Sequence, residues 1–334
     1  MKSGQKASLS PSKRSKSLLL TTVLLCVFGV AVWGAFAGVG WAEAKQAISQ
    51  LSVVQIFYIL CLANLHYVLR ALRWQVLARR VGLPTPILLN ALHFFGGFAM
   101  TATPGRLGEL VRLRWMAAES GWPVERLAPI AVADRATELA GMLVVIVSCV
   151  AFRNTDVAGV YWLVAVSVLL VWFSLNPRLL TWFVERSWRI IGRAPRVFVR
   201  LRRLTLGLMP FTGAGVLVLT IVISALGWLL EGFAFYCLLN WLGVEIDIAT
   251  ASAIFLIAVL SGALSGLPGG LGGTEAVIII LLSLQDVPVE LSVIATVIIR
   301  LATLWYVVAI GAIFFSISEM RLRKNRRQTI NESR

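Results

Sequence analysis

The chain of 334 residues is 58% apolar and 14% charged, with a mean hydropathy of +0.84. A soluble domain averages about 45–50% apolar and about 25% charged residues, so the composition excludes a water-soluble globule and describes a polytopic membrane protein of one domain. The net charge of +15 comes from 31 Lys+Arg against 16 Asp+Glu, gathered on the flanks of apolar runs; the positive-inside rule accounts for that placement, and with no reading module beside it nucleic acid is not an expected partner.

Residues 1–16 hold Lys2, Lys6, Lys13, Arg14 and Lys16 and are expected to stay cytoplasmic. The apolar run 17–39 follows. A basic leader and Ala35-Phe36-Ala37 would also suit a signal peptide, but the run exceeds the usual ~7–15 apolar residues, which favours an uncleaved span. Its Gly34 and Gly38 form a GxxxG usable for close helix packing. A spanning helix needs about 20 largely apolar residues, and further spans are expected at 52–71, 127–151, 158–175, 211–242 and 289–318. Two other apolar runs, 86–116 and 249–285, are interrupted by Thr103-Pro104-Gly105-Arg106-Leu107-Gly108-Glu109 and by Leu267-Pro268-Gly269-Gly270-Leu271-Gly272-Gly273-Thr274-Glu275. Each half is too short to cross alone, so each run is expected to dip into the membrane and return.

Charge sets the orientation. With the N-terminus inside, residues 40–51 lie outside and the Arg70–Arg80 cluster inside, where 86–116 enters and leaves. Residues 152–157 are then outside, the basic segment 176–210 inside, Glu245–Asp247 outside, and the tail Arg321–Arg327 inside. Every basic cluster falls on one side only if both broken runs are pairs. The expected fold is an all-α integral membrane protein with about six spanning helices and two re-entrant broken segments, N- and C-termini cytoplasmic. Residues 17–320 form the membrane domain and 321–334 a basic tail.

The two halves resemble each other. Pro-Gly-x-Leu-Gly stands at 104–108 and at 268–272, and Arg135 and Arg300 follow those breaks at nearly the same spacing. The expected arrangement is an inverted repeat, with one unit at about 52–151, a second at about 211–318, and the 158–175 span with the segment 176–210 connecting them. Sites in such proteins form where broken helices meet at the midplane.

Half-helix N-termini bind anions, which makes Gly105, Gly108, Gly269, Gly270, Gly272 and Thr274 candidates for holding an anionic lipid headgroup. Arg106, Arg135 and Arg300 are the cations expected there, Arg106 supplying a bidentate fork for phosphate. Asp134, Arg135 and Glu138 share one face of a span at i,i+3 and i,i+4 spacing, and that face must point inward because a charge at a helix centre costs about 2.5–3.5 kcal/mol. Arg135–Glu138 is read as an ion pair, with Arg106 or Arg112 as partners for Asp134. Glu109, Glu231 and Glu275 complete the carboxylates at membrane depth, as ion-pair partners or proton carriers; Glu231 is read as a buried partner for Arg300, and Arg112 and Arg114 as snorkelling to the cytoplasmic interface. Between 178 and 203, arginines alternate with Leu179, Trp182, Phe183, Trp188 and Phe198, a basic amphipathic stretch for the inner leaflet broken near Pro195.

Enzyme chemistry finds no foothold. The four cysteines lie in apolar runs without CxxC spacing and the two histidines, His66 and His93, have no paired-ligand spacing, so neither a disulfide, a metal nor another cofactor is expected. A transferase acting on polyprenyl phosphate would need an acidic pair in an exposed loop, and loops 40–51 and 152–157 offer Glu43 and Asp156 alone.

Pro104-Gly105-Arg106-Leu107-Gly108-Glu109-Leu110, Asp134-Arg135-Ala136-Thr137-Glu138-Leu139 and Pro268 to Glu275 together resemble the transmembrane-domain family of lysylphosphatidylglycerol synthases, over roughly residues 15–320. The resemblance implies a flippase-like protein of the bacterial inner (cell) membrane that moves a phospholipid or other phosphate-bearing lipid between leaflets. Full-length synthases add a cytoplasmic aminoacyl-transferring domain; this chain ends soon after its last apolar run, so a stand-alone, non-catalytic member is expected. The rival reading is an accessory protein that holds a lipid-biosynthesis enzyme or glycosyltransferase at the membrane.

Overall fold

The computed structural model describes residues 51–101, 108–153, 176–193 and 195–332, with Ser49 and scattered positions between 162 and 173. The 17–39 span, Arg106 and Gly105, and most of the 158–175 span lie outside the described residues. Among the described residues all regular structure is helical.

Helix α1, Val53–Arg80, opens on a capping box: Gln55 N donates to Ser52 Oγ at 3.2 Å and Ser52 N to Gln55 Oε1 at 2.8 Å. It runs nine residues past the expected end at 71, to Arg79 and Arg80 in its last turn. Gly82, at φ +75°, turns the chain into α2, Ile87–Gly97, which a 3-10 turn extends to Met100. After the first break come α3, Gly108–Ser120, and α4, Val124–Arg153. The basic segment forms α5, Pro177–Ile191, and α6, Pro195–Leu206, divided at Gly192 and packed on each other.

A similar order of long and short helices follows. Helix α7, Ala214–Trp241, is 28 residues long like α1 and also exits through a glycine of positive φ, Gly243 at +80°. Asp247 caps α8, Ile248–Leu264, accepting from Ala249 N and Thr250 N at 3.0 Å. The second break turns through Gly269 (φ +63°), Gly270 (+68°) and Gly272 (+80°) into α9, Gly273–Ser283. Helix α10, Val289–Arg300, continues through a π-helical turn at Leu301–Trp305 into α11, Tyr306–Glu332. The helix thus passes residue 320 unbroken, so the expected boundary of the basic tail is not a structural one.

Val53–Arg80, Ala214–Trp241 and the 34 residues Val289–Leu322 are long and apolar enough to cross a membrane. With the many apolar side chains that α1 and α7 turn outward, such as Val54, Phe57, Leu65, Val218 and Leu226, this makes the chain an integral membrane protein. Helix α4 is as long but carries Asp134, Arg135 and Glu138 near its middle. The helices of each broken run have 11 to 17 residues and pack against each other.

Two apolar cores are separated by a polar layer. One core gathers the N-terminal half of α1, the C-terminal half of α4, and α7 to α10; the other gathers the C-terminal half of α1, α2, α3 and the start of α4. Between them lie His66 to Arg73, Asp134 to Glu138 and Ser224 to Glu231, near the midpoints of α1, α4 and α7.

Small residues let these helices approach. A Cβ on Gly232 of α7 would stand 2.7 Å from Ser252 Oγ of α8, so any larger side chain forces the pair apart. Overpacking of this kind costs about 1–3 kcal/mol. Gly232→Leu is expected to lower the thermal unfolding midpoint of the detergent-purified protein by several degrees, while Gly215→Leu, at an open position of the same helix, leaves it unchanged.

Candidate functional site

The centre of the polar layer is Arg73, whose side chain is wholly buried. Its Nε donates to Asp134 Oδ1 at 2.9 Å, Nη2 to Glu138 Oε2 at 3.1 Å and Nη1 to Ser224 Oγ at 2.9 Å. Ser224 Oγ in turn donates to the Glu138 carbonyl at 3.1 Å, tying α7 to α4. Glu138 also receives Arg70 Nη2 at 2.7 Å and Arg135 Nη1 at 3.0 Å. Three arginines thus converge on one carboxylate.

Each broken run adds an Arg–Glu pair of the same kind. Glu109 lies in the first turn of α3 and binds Arg135 of α4. Glu275 lies in the first turn of α9 and binds Arg300 Nε of α10 at 2.6 Å, while Arg300 Nη2 donates to the Gly269 carbonyl at 2.8 Å. An anion at a helix N-terminus is favoured by the exposed N–H groups and the dipole. The protein's own glutamates, Glu109 and Glu275, occupy the first turns.

Glycine brings the halves of each run together. A Cβ on Gly108 would overlap the Gly97 carbonyl, and one on Gly262 would overlap Thr274 Oγ1. Thr274 thus packs against α8, and Gly272 holds the N-cap position of α9. Gly270 packs against the same hydroxyl, with a Cβ there 2.8 Å away.

Between the two breaks lies a cavity of about 140 Å³. Arg70, Arg112, Arg135 and Arg300 line it together with Glu109, Glu138 and Glu231, and so do Gly97, Gly108 and Gly269 from the two breaks. The predicted residues Gly108, Glu109, Arg135, Glu138, Glu231, Gly269 and Arg300 therefore come together; Gly270, Gly272, Thr274 and Glu275 flank them, and Asp134 stands behind on Arg73. Arg300 leads into the π-helical turn, where the Thr303 carbonyl accepts from Tyr67 Oη at 2.8 Å. Such turns recur at functional sites because they free a backbone group.

Four expectations are corrected. Arg70 and Arg73 do not join a cytoplasmic cluster: α1 continues to Arg80 and turns both inward. Asp134 pairs with Arg73, not with Arg112. Arg112 does not snorkel; it is buried, its guanidinium 3.9 Å from the Phe94 ring centroid and 4.6 Å from that of Trp74, with Nη2 donating to the Phe94 carbonyl at 3.1 Å. Arg114 is half-exposed and pairs with Glu319. Glu231 does not pair with Arg300, which Glu275 holds; it faces His66 Nε2 at 3.7 Å. The residues missed by sequence reading are thus His66, Arg70 and Arg73. Their i, i+4, i+7 spacing, one face of a helix, was the available signal.

A buried ionic layer around a small cavity, beside two pairs of short apolar helices, gives this integral membrane protein a polar internal site. Residues 18–311 match the family model "Lysylphosphatidylglycerol synthase TM region", and the chain belongs to that family. A UPF0104 membrane protein of Methanothermobacter thermautotrophicus is 24% identical over 317 residues, covering 86% of this chain and 93% of the relative. A further match to a protein of that name and organism is 33% identical over 159 residues, 41% of this chain and 47% of the relative. A phosphatidylglycerol lysyltransferase of Staphylococcus xylosus is 32% identical over 100 residues, 30% of this chain and 12% of the relative. The family ties the chain to membrane lipids.

Removing one partner of a buried ion pair typically costs about 3–5 kcal/mol, whereas replacing both with apolar groups is close to neutral. Arg73→Met is accordingly expected to destabilise the protein severely in chemical unfolding, and Arg73→Met combined with Asp134→Leu to recover most of the loss. A double variant no better than the single would show that Arg73 is needed for more than balancing Asp134.

Proposed function

We propose that the chain is a lipid translocase and not an enzyme, moving a phospholipid or another phosphate-bearing lipid between leaflets as a multi-pass protein of the cell membrane. The observation that supports this most is the cavity at the middle of the bundle, where guanidinium groups from α1, α3, α4 and α10 meet beside both glycine breaks. Guanidinium forks match phosphate oxygens two at a time. Among the described residues Arg112 has no carboxylate at salt-bridge distance and its Nε is buried without a partner, so it is the cation a phosphate engages first. Arg135 and Arg300 follow as the phosphate displaces Glu109 and Glu275. Arg106, two residues before Gly108 in sequence, is a further cation of the first break.

In this reading the two units are an inverted repeat. The α2–α3 and α8–α9 pairs enter from opposite faces, the termini are cytoplasmic, and the 17–39 and 158–175 runs bring the crossings to about six. Rocking of one unit against the other about the cavity exposes it to each leaflet in turn. Helices α5 and α6, with Trp182, Phe183, Ile190 and Val197 exposed among arginines, lie on the anionic inner leaflet. The relative named as a phosphatidylglycerol lysyltransferase makes phosphatidylglycerol the first cargo to try.

The test is leaflet exchange of fluorescent phosphatidylglycerol and of polyprenyl phosphate in proteoliposomes. The wild type is expected to move at least one of them. Hydrogen bonds to a charged group are worth about 1.5–3 kcal/mol, so Arg112→Ala should slow movement ten- to a hundredfold, with Arg112→Lys between the two. Wild-type rates in both Arg112→Ala and Arg300→Ala would overturn the site. No movement of any lipid by folded wild type would overturn the translocase reading in favour of the accessory role.

A further inference from the structure

One buried carboxylate of the cavity differs from the rest. Among the described residues of the polar layer, Asp134 has Arg73, Glu109 has Arg135, Glu275 has Arg300, and Glu138 has Arg70, Arg73 and Arg135. Glu231 has no arginine at salt-bridge distance. Its side chain is 5% exposed, lines the cavity, and faces His66, whose side chain is 2% exposed.

The pair is built into the packing. His66 of α1 sits against Gly227 of α7, where a Cβ would come within 2.9 Å of its Nδ1, so only glycine admits the ring at this depth. Tyr67 and Trp228 hold the imidazole edge-on and tilted, with ring centroids 5.2 and 4.9 Å away. That cage aims Nε2 at Glu231 Oε1 across 3.7 Å, and among the described residues Nε2 has no hydrogen-bond partner. A closure of less than ~1 Å makes the contact a hydrogen bond. The charged groups facing the pair are Arg70 and Arg73 of α1, Glu138 of α4 and Arg300 of α10; α8 offers only apolar walls, Phe255 and Val259.

We propose that His66 and Glu231 form a proton site that couples lipid movement to a pH gradient, a proposal that rests on the translocase reading above. An isolated ionised carboxylate is too costly to bury, and the other carboxylates meet that cost with permanently charged arginines. Such pairs cannot exchange a proton in the working range, because guanidinium does not release one. His66 with Glu231 can: a proton arrives from the aqueous phase on one side, resides on Nε2 or on the carboxylate as a property of the pair, and leaves to the other side. An anionic headgroup in this cavity is repelled by an ionised Glu231 beside it. Uptake of one proton by the pair removes that repulsion, so lipid and proton favour each other's binding, and by linkage the effect is reciprocal.

Two measurements on the full chain test this separately from the translocase reading. Infrared difference spectra of the protein in nanodiscs, followed through a pH titration, are expected to show a protonated-carboxyl band that titrates and that Glu231→Gln removes; no band lost in that variant overturns the proton site. In proteoliposomes with the potential clamped by potassium and valinomycin, a one-unit pH gradient with one proton per lipid shifts the equilibrium distribution of fluorescent phosphatidylglycerol about tenfold. Glu231→Gln and His66→Asn, each checked for folding by gel filtration, should give the same distribution with and without the gradient. A wild type that moves lipid identically with and without the gradient overturns the coupling. A wild type that moves no lipid overturns the translocase reading, and the infrared band still decides whether the pair binds a proton.

Discussion

The bundle is organised by the need to keep charge away from lipid at the midpoints of its long helices. Arg73 meets that need for three helices at once, with Asp134 and Glu138 of α4 and Ser224 of α7 all bound to one guanidinium. Once it is placed, the rotation of α1 about its axis is set, and so are the facing sides of α4 and α7. The remaining surfaces of these helices are free to be apolar, and they sort into the cores on either side of the polar layer and the lipid-facing exterior. The layer is therefore structural first. Function is available to it because three arginines share Glu138 and the cavity opens beside them.

What the sequence made legible was what depends on neighbours along the chain. Apolar run lengths located α1, α4, α7 and the α10–α11 rod, and glycine and proline located both interruptions. The i,i+3 spacing of Arg135 and Glu138 correctly placed them in contact at 3.0 Å. Reading stopped where a partner is distant in the chain: Arg73 and Asp134 are 61 residues apart, and no local pattern announces such a pair. A rule that counts basic residues as cytoplasmic then misassigned Arg70 and Arg73, because it weighs charge and not the carboxylate opposite. Arg112 misled for a related reason. Two neighbouring arginines, 112 and 114, look alike in sequence, yet one meets the Trp74 and Phe94 rings and the other meets Glu319 at the surface.

The break-region pairs show local and distant constraints acting on the same atoms. Each second half-helix approaches its partner closely through a glycine, Gly108 of α3 against α2 and Gly262 of α8 against α9, and carries a glutamate within its first two or three residues. The helix dipole favours that carboxylate, and the membrane interior demands a cation beside it. An arginine on the following long helix satisfies the demand, at separations of 26 and 25 residues in the two units. The same kind of contact is thus made in both halves of the chain.

That contact bears on how a phosphate could be both admitted and released. Were Arg135 and Arg300 bare, they would hold any phosphate in a low-dielectric cavity too firmly to let it go. In the translocase reading, a phosphate reaches the guanidinium of Arg135 or Arg300 only by breaking its ion pair with Glu109 or Glu275, and the cost of the displaced carboxylate offsets much of what the phosphate gains. Small differences then decide the direction: the extra fork of Arg112, or the charge on the His66–Glu231 pair, which alone among these carboxylate contacts can change without breaking an arginine bond. In the translocase reading a carrier needs a site that releases what it binds, and arginines paired with carboxylates hold a phosphate less firmly than a cluster of bare ones would.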